Sequence, residues 1–115
     1  MIKSVCSALV VLLLAAPAMA RDPDPANGEK LFKRYCAGCH GADGRGGGDT
    51  FMPHIENLTK AGYIELLPDD YLIGVITEGG PSVGKSSYMP AWGGTISADD
   101  ILDIVAHVRT LSKYQ

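Results

Sequence analysis

The chain has 115 residues with ten basic and thirteen acidic side chains, a formal net charge of −3. An acidic balance weighs against nucleic acid as a partner, because phosphate binding needs clustered Lys and Arg. A chain of this length makes one domain with a thin core, which a disulfide, a metal or a cofactor usually has to reinforce.

Residues 1–20 read as a cleaved secretory leader. Lys3 gives the positive start, an apolar run extends from Ala8 to Ala16, and Ala18, Met19 and Ala20 supply the small-residue cleavage pattern. The run is too short to cross a hydrocarbon layer of about 30 Å. Cys6 precedes the run, whereas a lipoprotein cysteine would follow it. Cleavage after Ala20 leaves a single domain over 21–115, exported to the periplasm, not membrane-spanning and expected to be a monomer. Only Lys3 is lost among the charged residues, so these 95 residues carry a net charge of −4.

The spacing predicts an all-α fold of three to four helices. A first helix spans about 24–39, with Asp24 as N-cap and Pro25 at the first helical position. Gly28, Leu31, Phe32, Tyr35 and Cys36 fall on one of its faces. A short further helix is expected within 57–67. Another runs over about 68–78, with Asp69 and Asp70 in its first turn, Leu72, Val75 and Ile76 as its stripe, and Gly79-Gly80 ending it. The last starts at Ser97, a capping-box-like start with Asp100 in the Glu position. Its stripe is Ile101, Ile104, Val105, Val108 and Leu111. Strand signals are almost absent. The two intervening loops are long and rich in Gly, Pro and Ser, which suits segments wrapped around something that is not protein.

The stretch Tyr35-Cys36-Ala37-Gly38-Cys39-His40-Gly41 carries the chemistry. After leader removal Cys36 and Cys39 are the only cysteines. One bridge across so short a step would stabilise little. A structural zinc site needs four ligands, and His54 and His107 lack the ligand-pair spacing. A thioredoxin-type pair belongs between a strand and a helix, and nothing before Cys36 reads as a strand. Covalent haem answers to all of this. Each thiol adds to one vinyl group, and His40 is then held beneath the iron as its proximal ligand.

Candidates for the second axial position are Met52, Met89, His54, His107 and several lysines. Met52 and His54 follow His40 too soon for the chain to round the ring edge, and Met52 is assigned to packing. His107 lies beside the apolar stripe of the last helix and is also assigned to packing. Met89 sits in a Gly-rich loop between two helices, followed by Pro90 and Trp92, which would stiffen and shield it. Its uncharged thioether is a soft iron ligand that costs little to bury.

With these residues in place the chain resembles the small bacterial class I cytochromes c, which hold one haem. The resemblance rests on Gly28 and Phe32 before the CxxCH motif, on residues 41–46, on residues 88–94 around Met89-Pro90, and on residues 99–111. It implies first and last helices that cross closely at the haem edge, with Gly28 permitting the approach and Phe32 packing against Ile104 and His107. Two departures stand out. His107 occupies a position where the family usually has an aromatic residue, and Met52-Pro53 partly duplicates Met89-Pro90. The resemblance also points to the Pro53 carbonyl as acceptor for the second nitrogen of His40.

An iron with two protein ligands leaves no open position for substrate. The expected function is therefore that of a soluble electron carrier, not an enzyme, moving single electrons between a donor dehydrogenase or cytochrome complex and an acceptor oxidase or reductase. Two rival readings remain. One is a haem enzyme or gas sensor with an open distal site, against which the sequence near Met89 offers no His, Arg or Glu. The other is a dedicated electron-transfer subunit of one larger oxidoreductase.

Overall fold

The computed structural model describes residues 2, 4–6, 10–14, 21–50 and 55–112. Its helices are α1 (Pro25–Tyr35), α2 (Ala37–His40), α3 (Asp69–Glu78) and α4 (Ala98–Leu111), with 3-10 turns at Ile64–Leu66 and Gly80–Val83. No strand occurs among the described residues, and no helix among them is long and apolar enough to cross a membrane. The described part of the expected leader is exposed and irregular.

α1 starts where its cap predicts. The Asp24 carboxylate accepts the N–H groups of Ala26 at 3.0 Å and Asn27 at 3.3 Å, and Pro25 opens the helix. The expected continuous helix to Cys39 is broken at Cys36, whose φ of −113° lies outside the helical range. Cys36 still donates its N–H to Phe32, while its carbonyl accepts from both Cys39 (3.2 Å) and His40 (2.9 Å). The break leaves one cysteine at the junction and the other within α2. Residues 41–50 then fold back over α2, with the Gly46 N–H on the His40 carbonyl at 2.7 Å and the Thr50 N–H on the Gly38 carbonyl at 2.8 Å. Gly48 permits this return, because a side chain there would run into the Gly38 carbonyl.

α4 opens on Ser97, whose hydroxyl accepts the Asp100 N–H at 3.2 Å. The reciprocal half of the expected capping box is not made. The Asp100 carboxylate instead takes the Asn27 side-chain amide at 3.0 Å, because α1 crosses at that point. Gly28 marks the closest approach of the two helices. A Cβ built on it would overlap the Asp103 carbonyl group and stand 3.0 Å from His107 Cβ.

Apolar packing sits on both sides of this crossing. Phe32, Ile64, Leu72, Ile76, Ile96, Ile101, Ile104, Val105 and Val108 are buried; of the stripes expected for α3 and α4, only Val75 and Leu111 are half-buried instead. Asp103 is buried with them at 1% exposure, a feature the sequence reading did not anticipate. Its charge is matched by four donors: Arg21 through both terminal nitrogens at 3.0 Å, the Asp24 N–H at 2.8 Å and the Asn27 amide at 2.8 Å. Burial opposes the charge, but these donors outweigh it and hold the carboxyl below its ordinary range. A second clamp joins α4 to α3. Arg109 donates to the carbonyls of Ile64 and Leu67, each at 2.5 Å, and to the Asp69 carboxylate at 2.6 Å.

Candidate functional site

The helices enclose a cavity of about 460 Å³, within the range of roughly 300–1,000 Å³ usual for cofactor sites. α3 contributes Leu72, Val75 and Ile76 to its wall, and α4 contributes Ile104, Val105 and Val108. Of the buried core hydrophobics, all but Ile96 and Ile101 line it. The core is thus built around the cavity and not beside it. This is the arrangement expected where a flat apolar group completes the interior of a small domain.

Four residues expected to bind the cofactor meet here. Cys36, Cys39 and His40 line the cavity from the α1–α2 junction, and Met89 lines it from the loop after α3. Neither Cys36 nor Cys39 is in a disulfide. Burial pushes the Cys36 thiol up to about 11, with the neighbouring Cys39 adding to the effect. A thiol held this strongly protonated is a slow attacking group for disulfide exchange at neutral pH. Among the described residues no group of three or more His, Cys, Asp or Glu side chains is placed to hold a metal ion. Burial likewise lowers the His40 imidazole below its ordinary range, which keeps it neutral with a lone pair to offer. His40 Nδ1 is buried and has no partner among the described residues. The expected acceptor, Pro53, lies outside the described residues, as do Met52 and His54.

The Met89 loop is held by backbone bonds to the end of α3. The Trp92 N–H bonds the Ile76 carbonyl at 2.9 Å and the Gly93 N–H bonds the Thr77 carbonyl at 3.1 Å, so two carbonyls left open by the helix end are used. The Gly80 N–H takes the Met89 carbonyl itself at 3.0 Å. On the other side the Trp92 ring packs on Tyr35 at 5.3 Å between centroids, joining the loop to the helix turn before Cys36. The stiffening role read for Trp92 has this physical form. His107 is buried in the α1–α4 crossing against Phe32 and does not line the cavity, in keeping with its assignment to packing.

Sequence reasoning missed part of the wall. Tyr71 stands with Leu72, Val75 and Ile76 on the cavity face of α3, a position its i, i+4 relation to Val75 could have indicated. Adjacency in sequence is not adjacency in space, and the fold brings Glu56 to the same cavity. Its side chain is exposed there and shares the lining with Lys85.

Residues 23–108 match the family model described as "Cytochrome C oxidase, cbb3-type, subunit III". Cytochrome c6 of Tetradesmus obliquus is 34% identical over 85 residues, covering 74% of this chain and 88% of that protein. The chain belongs to the c-type cytochromes. Its cofactor is accordingly a covalently attached haem c, and the apolar cavity, unbridged thiols and neutral imidazole fit such a group. This cytochrome is also similar to the cbb3-type oxidase subunit CcoP of Rubrivivax gelatinosus, 37% identical over 98 residues. The match covers 84% of this chain but 29% of that protein. It is 32% identical to the subunit FixP of Bradyrhizobium diazoefficiens, over 76% of this chain and 28% of that one. The chain thus spans less than a third of these oxidase subunits. Among solved structures, cytochrome CL from Methylophaga aminisulfidivorans superposes with a TM-score of 0.57 at 26% identity, over 79% of this chain and 59% of that one. The KustC0563 c-type cytochrome matches with the same TM-score at 22% identity, over 73% of this chain and 95% of that one, and shares the fold.

Proposed function

We propose that this cytochrome is a soluble periplasmic carrier of single electrons, released as residues 21–115 by cleavage after Ala20. The observation that carries the reading is the convergence of Cys36, Cys39, His40 and Met89 on one apolar cavity. In this reading Cys36 and Cys39 would hold the haem through thioethers, and His40 and Met89 would ligate its iron. The haem supplies a one-electron change of charge. The protein's part is to hold that charge in a low-dielectric site and to leave no iron position for substrate. Leu72, Val75, Ile76, Ile104, Val105 and Val108 exclude water from it. The thioether of Met89 favours the reduced state relative to a nitrogen ligand, which raises the potential. The backbone bonds of residues 80, 92 and 93 fix the loop that presents Met89, so little has to move when the electron arrives or leaves. Tyr88, exposed next to Met89, lies where a partner would approach.

A second reading has its own support in the cbb3-type relatives: the domain serves one oxidoreductase as an attached electron-transfer subunit. Both readings share every residue named above. They differ in whether the native protein runs alone or with a larger complex on a sizing column, and in whether it exchanges electrons with added donors while free. Holoprotein that elutes as a small monomer and is reduced and reoxidised by separate partners supports the carrier. Persistent elution with an oxidase, with slow exchange when stripped from it, contradicts the carrier and supports the subunit.

A further inference from the structure

His107 is a buried group that the electron-carrier reading leaves without a task. It is 8% exposed, and its Nε2 has no hydrogen-bond partner among the described residues. Its ring packs on Phe32 at 5.2 Å between centroids, and Phe32 in turn packs on His40 at 6.3 Å. The two imidazoles are therefore no further apart than the sum of those separations, with one aromatic ring between them. Across the crossing, α1 presents Glu29 and Lys33, which are paired with each other at 2.7 Å. Glu29 favours a charged His107 and Lys33 opposes it. On α4 itself, Asp103 lies one turn earlier but is committed to Arg21, Asp24 and Asn27.

We propose that His107 is a proton-binding site linked to the electron carried at the neighbouring cavity, so that reduction draws a proton onto Nε2 and oxidation releases it. The inference rests on the electron-carrier reading. One electron enters from a protein donor and removes one positive charge from the cavity. Part of one proton moves from solvent water to Nε2, and no other bond changes. Unit charges at the largest separation the two ring contacts allow, at an effective dielectric near 20, shift a proton affinity by about one pH unit. Reciprocity then requires that a proton on His107 raise the affinity for the electron by the same factor. Burial, reinforced by Lys33, lowers the imidazole below its ordinary range, which places the effect on the acid side of about pH 6.5. The potential should rise as pH falls through this region and level off on either side.

The test is the equilibrium potential of the holoprotein between about pH 4.5 and 8, together with NMR titration of the His107 ring protons in both oxidation states. The wild type should show an acid-side rise, and its His107 midpoint should be lower in the oxidised form. The rise should shrink at least severalfold in His107→Phe and His107→Gln but persist in His54→Gln, which controls for the other non-ligand histidine. A profile unchanged in a folded His107 variant would instead assign the proton to the haem carboxylates, and one lost only in His54→Gln would assign it to His54; either overturns the proposal. If both His107 variants fail to fold, the wild-type titration decides: an equal midpoint in the two oxidation states, or no titration, refutes the linkage. Absence of any reversible one-electron couple would overturn the carrier reading itself. A normal couple with no His107 dependence overturns this inference alone.

Discussion

In the proposed reading Cys36 serves attachment and Met89 ligation, and each role allows a separate test. Cys36→Ala should leave a single thioether and a poorly folding protein, because the core lines the cavity instead of filling it. Intact mass and acid–acetone extraction check this: the wild type should retain one haem, and recovery of an equally stable apoprotein would contradict it. Met89→Ala should leave His40 in place, lower the potential, and admit imidazole to the iron; Met52→Ala should do none of these. At this scale the sequence was informative wherever the chemistry is local. The CxxCH spacing and the Met-Pro pair are readable because each is a run of neighbouring residues, and the fold brings both to one cavity. Asp103 was not readable, because its chief partner, Arg21, lies 82 residues away and nothing in a helical stripe marks a buried acid.

Helices α1 and α4 meet without room for a side chain at residue 28. Gly28→Val should therefore cost about 1–3 kcal/mol or more through overpacking, although it replaces a poor helix former. In a domain of this size that corresponds to a fall in Tm of roughly 4–20 °C; an unchanged Tm would contradict the crossing. The carboxylate of Asp103 gives the same contact a pH dependence. Its folded-state pKa is lowered, so the unfolded chain binds more protons in the acid range. The stabilisation is complete above the unfolded value of about 3.9 and is lost as pH falls through the folded value. Asp103→Asn should destabilise at pH 7 and flatten the acid limb, whereas Asp99→Ala, at an exposed site, should change little; denaturant titrations across pH measure both. Caps and stripes placed these helices from sequence because they depend on residues three or four apart. The break at Cys36 escaped the reading, since it arises in the backbone and the apolar pattern continues through it. The diversion of Asp100 from its own cap to Asn27 escaped it too, because only the crossing brings that amide within reach.

Charge is distributed unevenly over the whole molecule. The exposed residues that line the cavity include Gly84, Ser86, Tyr88 and Pro90, with Lys85 and Glu56 of opposite sign among them. The acids gather elsewhere, around Asp22, Asp24, Asp99 and Asp100 and at the start of α3. A face without a one-signed field does not steer partners over long distances. Electron transfer with the natural partner should therefore depend only mildly on ionic strength, and Lys85→Glu should change its rate by less than about tenfold; a steep fall in rate between low and physiological salt would locate docking on a charged face. The central claim, that both axial positions are filled by the protein, is tested most directly by adding carbon monoxide to the reduced holoprotein at neutral pH. The account predicts no change in the absorption spectrum of the wild type and a carbonyl complex in Met89→Ala. Stoichiometric binding by the wild type would contradict it, and would make the cavity an open site for a small ligand.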